Sequence, residues 1–293
     1  MTRTTKWNAP AIHRNRRRSG ASKNNRKRLL MTRHMLRKKS QASGKIVRFA
    51  LVRHGLTQEN TERRYISYSD VPLLPDSTEE LRVLRRTLAH PSPLLYTSDM
   101  RRCRDTLAYL RPRDSIQAVE DTRLREYDFG MWEGLTYNDL KEDPQYRRWL
   151  DDSSAIQPPR GEPWQTFCTR TAHVWWEVLR NARDSFISSG NQMERQEGAI
   201  RRRPYHSSPL PRGRVLRSKT SRMQRQSYGS GLSPRPDVVI VTHGGVVRRL
   251  YTLAFPRKSF WEAAAPIGGG VMITAKRCAR KWKFLRAERL PSR

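Results

Sequence analysis

The sequence predicts an α/β fold of three layers, a mostly parallel central sheet with helices on both faces. Near-continuous apolar runs such as IVRFALV (46–52) and VVIVT (238–242) read as strands buried on both sides. Segments of helical period alternate with such runs, and no internal repeat is visible. Each element follows from its own pattern. KIVRFALV (45–52) is the first strand, and TEELRVLRRTLA (78–89) is a helix with acidic residues in its first turn. LLYTS (94–98) is a short strand, MRRCRDTLAYL (100–110) the helix after it, and SIQAV (115–119) a third strand. LREYDFGMWEGLT (124–136) is a loop rich in aromatics and glycine. Helices are predicted over 136–150 and 163–187, the second with Pro163 in its first turn. DVVIVTHGG (237–245) restores a buried strand and VVRRLYTLAF (246–255) a helix. GVMITAKRC (270–278) and KWKFLRAERL (281–290) close the fold as paired strands.

Charge divides the 293 residues differently. Of the formal +32, sixteen basic residues and no acid lie in 1–49, and a net +9 lies in 188–236, which leaves +7 for everything else. Residues 1–44 are too charged and too poor in apolar side chains to offset their ordering entropy, so they read as a disordered basic tail. The stretch at about 188–236 has Pro, Gly, Ser and Arg without apolar period, and reads as a disordered insertion in a domain spanning 45–293. Both can make non-specific polyanion contacts, but Trp7, Tyr205 and Tyr228 are too few aromatics for base stacking. Three widely spaced cysteines suggest neither a disulfide framework nor a zinc site and fit a reducing, cytoplasmic compartment. No apolar run reaches the ~20 residues of a membrane span.

The chemistry-bearing residues stand at strand ends. LVRHG and VIVTHGG each put a histidine, His54 and His243, directly after a buried strand and before a glycine. Ligands of open α/β sheets bind at the carboxyl ends of strands, so both histidines can face one crevice. Gly55 and Gly244 permit close backbone approach there. A third strand end brings Arg102 in SDMRRCRDT, and the loop LREYDFG brings Glu126. With Arg53 these make a set suited to phosphoryl transfer: planar guanidinium forks for phosphate oxygens, an imidazole nucleophile, and a carboxyl to protonate the departing alkoxide. Other groups read as bland. His90 belongs to a turn, His173 to packing beside Trp175 and Trp176, Cys103 to the core, and Gly268–Gly270 to a turn. Asp70, Asp99, Asp128 and Glu133 lack ligand spacing, so no metal and no cofactor is expected.

Four motifs in order, LVRHGLTQEN, SDMRRCRDT, LREYDFGMWEGL and VTHGG, resemble the histidine phosphatase superfamily, the phosphoglycerate-mutase-like enzymes, over 46–187 and 237–290. The resemblance implies that His54 becomes phosphorylated and that Arg53, Arg102 and His243 hold the phosphoryl oxygens. It further implies a hydrogen bond from Asn60, support of the nucleophile loop by Thr57, and Glu126 as general acid. RRYISYSDVPL is similar to the α-ribazole phosphatase branch, with departures at Leu56, Ser67 and Ser77. The implied substrate is a small phosphorylated metabolite, α-ribazole 5′-phosphate for that branch. A phosphoglycerate-type mutase is the alternative enzyme, and a polyanion-binding protein on a reused phosphatase fold the alternative class. Charge makes one demand on either enzyme: His54 must be neutral to attack, which flanking guanidinium groups favour.

Overall fold

A computed structural model describes residues 44–90, 92, 94–200, 235–278 and 281–291, with the helix beyond residue 185 described as backbone. The described fold lies in one compact unit, Ile46–Arg277 with Trp282 onward. The predicted tail, and the predicted insertion from 201 to 234, lie outside the described residues.

Six strands form one sheet in the order β3-β2-β4-β1-β5-β6. They are β1 (Ile46–Arg53), β2 (Leu94–Thr97), β3 (Val119–Glu120), β4 (Val238–Thr242), β5 (Gly270–Cys278) and β6 (Lys281–Leu290). The pairings β3–β2, β2–β4 and β4–β1 are parallel, and β5 runs antiparallel to β1. The helices are α1 (Gln58–Thr61), α2 (Ser77–Leu88), α3 (Arg101–Leu110), α4 (Tyr137–Leu140), α5 (Pro144–Asp151), α6 (Trp164–Ile200) and α7 (Gly244–Ala254). Alternation along β1 makes the three layers. Val47, Phe49 and Leu51 pack with Trp175 and Val178 of α6 and Val247 of α7. Ala50 and Val52 face the other way, onto Leu81 and Leu84 of α2 and Cys103 and Leu107 of α3. No helix among the described residues is long and apolar enough to cross a membrane.

Several expectations need correction. SIQAV is mostly a 3₁₀ turn at Ser115–Gln117, with only Val119–Glu120 pairing to β2. Ile116 is 91% exposed, since a short apolar run alone does not identify a strand. The single helix over 136–150 is two, because Pro144 lacks an N–H and holds Asp143 extended, at φ −73° and ψ 119°. The Asp143 carboxylate then caps α5 through Gln145 N and Tyr146 N. The helix at Pro163 runs on to Ile200, beyond the 187 expected for its end. His173 is exposed, and of the two tryptophans named with it Trp175 is buried and Trp176 exposed.

Candidate active site

Register brings the separated motifs together. Arg53 pairs with Thr242 at the ends of β1 and β4, so the next residues, His54 and His243, emerge side by side with ring centroids 5.3 Å apart. On the other flank of β4, Thr97 of β2 faces Val241, and the chain turns into α3 with Arg102 as its second residue. β3 ends beside β2, and one 3₁₀ turn (Thr122–Leu124) carries the chain to Glu126. Four neighbouring strand ends thus supply the four predicted groups.

His54 is 4% exposed and rigidly set. Its Nδ1 lies 2.8 Å from Gly55 O. A carbonyl only accepts, so Nδ1 carries the hydrogen and Nε2 keeps its lone pair. Gly55 N donates to Thr106 Oγ1 of α3 at 2.9 Å, and Leu56 N donates to Ser77 Oγ at 2.9 Å. A Cβ at position 55 would stand 2.1 Å from that Ser77 oxygen, which is why the loop needs glycine. The turn at Gly268 and Gly269 closes the loop from behind, Gly268 N donating to His54 O and Arg53 N to Gly269 O. Burial first, then the charges of Arg102 and Arg53, hold the imidazole well below the ordinary histidine value of 6.5.

His243 and Arg102 are buried beside it. A guanidinium only donates, so His243 Nδ1 accepts from Arg102 Nη2 at 3.3 Å, and Nε2–H donates to Ser98 Oγ at 3.0 Å. Both ring nitrogens therefore have protein partners. Arg102 also donates to Ser69 O at 2.8 Å and Ser67 O at 2.7 Å. Those carbonyls are themselves fixed, because the Glu133 carboxylate accepts from Ser67 N and Ser69 N. Arg53 donates to Ala265 O at 3.1 Å. The Nε atoms of Arg53 and Arg102 are buried without a hydrogen-bond partner among the described residues. Cys103 is a core thiol, as expected, pushed up to about 12 chiefly by burial. Its Sγ is nevertheless 3.5 Å from His243 Nε2, a contact the sequence did not announce.

Glu126 lies across from these groups. Its Oε2 accepts from Gly245 N at 2.8 Å, in the first turn of α7, and its Oε1 from Tyr127 N at 2.9 Å. A Cβ at Gly245 would fall 2.3 Å from Oε1, so the carboxylate occupies the space glycine leaves. Gly244 stands against Arg53 instead. Thr57 is fully buried and caps α1, its hydroxyl accepting from Asn60 N while Asn60 Oδ1 accepts from Thr57 N.

A cavity of about 450 Å³ opens over the set, lined by Arg53, His54, Asn60, Glu126 and Gly244 among others, whereas Arg102, His243 and Thr57 are buried outside its lining. Its wall was missed in the sequence. Tyr127, Trp164, Phe260 and Trp261 line it in a chain of ring contacts with centroids 5.8, 5.5 and 5.2 Å apart. Arg248 also lines it, one helical turn after Gly244 and on the same face of α7, a spacing legible once the helix start is known. Among the described residues no group of three or more His, Cys, Asp or Glu is placed to hold a metal ion. Asp99 is instead paired with Arg125.

Residues 49–190 match the model of the histidine phosphatase superfamily, branch 1. The match ends before His243, and the β1–β4 register supplies the missing half of the site. Over residues 49–190 the chain is similar to the histidine phosphatase superfamily. Its relatives include a bifunctional protein of Mycobacterium tuberculosis, 33% identical over 150 residues, which are 50% of this chain and 39% of the relative. A glucosyl-3-phosphoglycerate phosphatase of Mycolicibacterium vanbaalenii is 33% identical over 112 residues, 37% of this chain and 50% of the relative. The chain therefore spans half or less of the length of these curated relatives. In fold it is similar to the crystal structure of a putative α-ribazole-5′-P phosphatase from Escherichia coli, with a TM-score of 0.55 and 20% identity over 84% of this chain and 96% of that one.

Proposed function

We propose that this protein is a phosphomonoesterase that hydrolyses a small phosphorylated metabolite through a phosphohistidine at His54. The observation that carries the reading is the tautomer of His54. The hydrogen bond to Gly55 O fixes the proton on Nδ1, and burial between two guanidinium groups keeps the ring neutral, so Nε2 is a nucleophile without further activation. In the first half-reaction Nε2 bonds to phosphorus, the ester P–O bond breaks, and Glu126 delivers a proton to the alkoxide. In the second, the Glu126 carboxylate takes a proton from water, the water oxygen attacks phosphorus, the P–N bond breaks, and phosphate leaves. Arg53 and Arg102 would hold the phosphoryl oxygens, a role supported by their unpartnered buried Nε atoms. His243 joins them only if it gives up Arg102 or Ser98, while Asn60 adds a donor from the cavity wall. α-Ribazole 5′-phosphate is the finer substrate reading, and a reducing, cytoplasmic compartment agrees with three free cysteines.

Rapid quenching of turnover with a ³²P-labelled phosphomonoester should trap an acid-labile, base-stable phosphoenzyme in the wild type and none in His54→Ala. Label surviving in that variant would place the nucleophile elsewhere. Label that passes to a second sugar or acid hydroxyl instead of water would make the protein a mutase.

A further inference from the structure

Four guanidinium groups line the cavity, those of Arg53, Arg63, Arg64 and Arg248, against one carboxylate, Glu126. Arg53 adjoins the reacting histidine, Arg64 is engaged by Glu62 and Gly134 O, and Arg63 is exposed to solvent. Arg248 differs from all three. It is partly buried, enters no ion pair among the described residues, and its Nε is buried without a hydrogen-bond partner. Its guanidinium lies 4.9 Å from the Trp261 ring centroid and 5.9 Å from that of Phe260. A planar fork taken partly out of water and oriented by aromatic faces is a preorganised receptor for an anion. Trp261 itself is 72% exposed, an uncommon state for so large an apolar side chain and one that suits the mouth of a binding site. The single phosphoryl group at His54 does not need this fourth cation, since Arg53 and Arg102 already flank it.

We infer that Arg248 is a specificity residue that binds a second anionic group, carboxylate or phosphate, on the alcohol half of the substrate. The inference rests on the proposed phosphatase reading and narrows its substrate class to phosphomonoesters of anionic alcohols, which sets aside α-ribazole 5′-phosphate, whose alcohol half is uncharged; the apolar part of the leaving group lies against Trp164, Phe260 and Trp261. The charges of Arg248 and Glu126 also interact, so an alternative role for Arg248 is general electrostatic tuning of the site. Tuning would affect all substrates alike, whereas anion recognition changes the ratio between matched pairs.

The test compares kcat/KM for 3-phosphoglycerate with glycerol 3-phosphate, and for fructose 1,6-bisphosphate with fructose 6-phosphate. In the wild type at least one doubly anionic partner should be preferred by about tenfold or more, as for a hydrogen-bonded charge pair. Arg248→Met, which keeps the stem against the rings, should bring that ratio close to one. A wild-type ratio near one in both pairs overturns the inference even if the variant fails to fold, and so does an unchanged ratio in a folded variant. Calorimetric binding of the same esters to His54→Ala, with and without Arg248→Met, separates the two readings. A preference in binding without turnover of any ester by the wild type would refute the phosphatase and leave the anion site standing. Turnover of the esters without preference would do the reverse.

Discussion

The proton on His54 Nδ1 is fixed by one carbonyl, and the ring is kept neutral first by burial and then by two arginines. Histidine-selective NMR of the free protein should therefore find His54 neutral at pH 6, below the ordinary value near 6.5. Arg102→Met removes a positive neighbour, so the midpoint should move upward; a midpoint that stays put or falls would strike Arg102 from the electrostatic account. Gly245 makes an equally specific prediction. Its N–H holds Glu126 Oε2, and a Cβ there would meet Oε1 at 2.3 Å. Gly245→Ala should thus displace the Glu126 carboxylate and, on the proposed mechanism, cost roughly 10²-fold in kcat on an alkyl ester such as glycerol 3-phosphate. p-Nitrophenyl phosphate, whose leaving group needs little protonation, should lose far less. Equal losses on both esters would point to a damaged nucleophile instead.

Between elements, the loop of Glu126 is tied to α6 by Arg170 and, at its start, by the ion pair of Arg123 with Glu177. Arg170 donates to the carbonyls of Arg123, Arg125 and Glu126 at 2.9, 2.6 and 2.7 Å and pairs with Glu162, which in turn accepts from Asp128 N. The side chains of both members of the pair are at most 14% exposed. Arg170→Met leaves a buried carboxylate and three carbonyls unpaired, and should lower the stability measured by urea unfolding by roughly 3 to 5 kcal/mol. A loss below about 1 kcal/mol would show that the loop is held by other contacts. The opposite loop is tied by an acid, since Glu133 fixes the Ser67–Ser69 backbone whose carbonyls orient Arg102. Ser67 and Ser77, departures from the related branch at sequence level, thereby acquire structural work: one anchors to Glu133, the other caps the nucleophile loop at Leu56 N.

For the whole molecule, the buried histidine pair couples folding to pH. The folded-state values of His54 and His243 are both pushed down, mainly by burial, while the unfolded chain keeps values near 6.5. The unfolded state therefore binds more protons as pH falls below 6.5, and stability must decline there, by up to about 1.4 kcal/mol per pH unit for each histidine. Above 6.5 this contribution is fully present and flat. Urea midpoints across pH 5 to 8 should trace that shape, and His243→Asn should reduce the slope between pH 5 and 6.5. An unaltered slope in that variant would mean that other groups carry the acid sensitivity.

The sequence by itself determined the α/β class, most elements, and the gathering of His54, His243, Arg102 and Glu126 beyond strand ends, because strand-end histidines before glycine and apolar runs are local patterns that survive without tertiary context. It misplaced what depends on competition between equal local choices: the turn at Ser115–Gln117, the break at Pro144, and the reach of α6. Only the tertiary structure decided which atoms are available. The pairing of Arg53 with Thr242 sets the two histidines side by side, Gly55 O leaves His54 Nε2 with its lone pair, and Arg102 and Ser98 occupy the two ring nitrogens of His243. Arg248 and the rings that orient it come from separate parts of the chain. Their meeting is set by how α7 packs beside the Phe260–Glu262 turn, a long-range relation with no periodicity for a sequence to display.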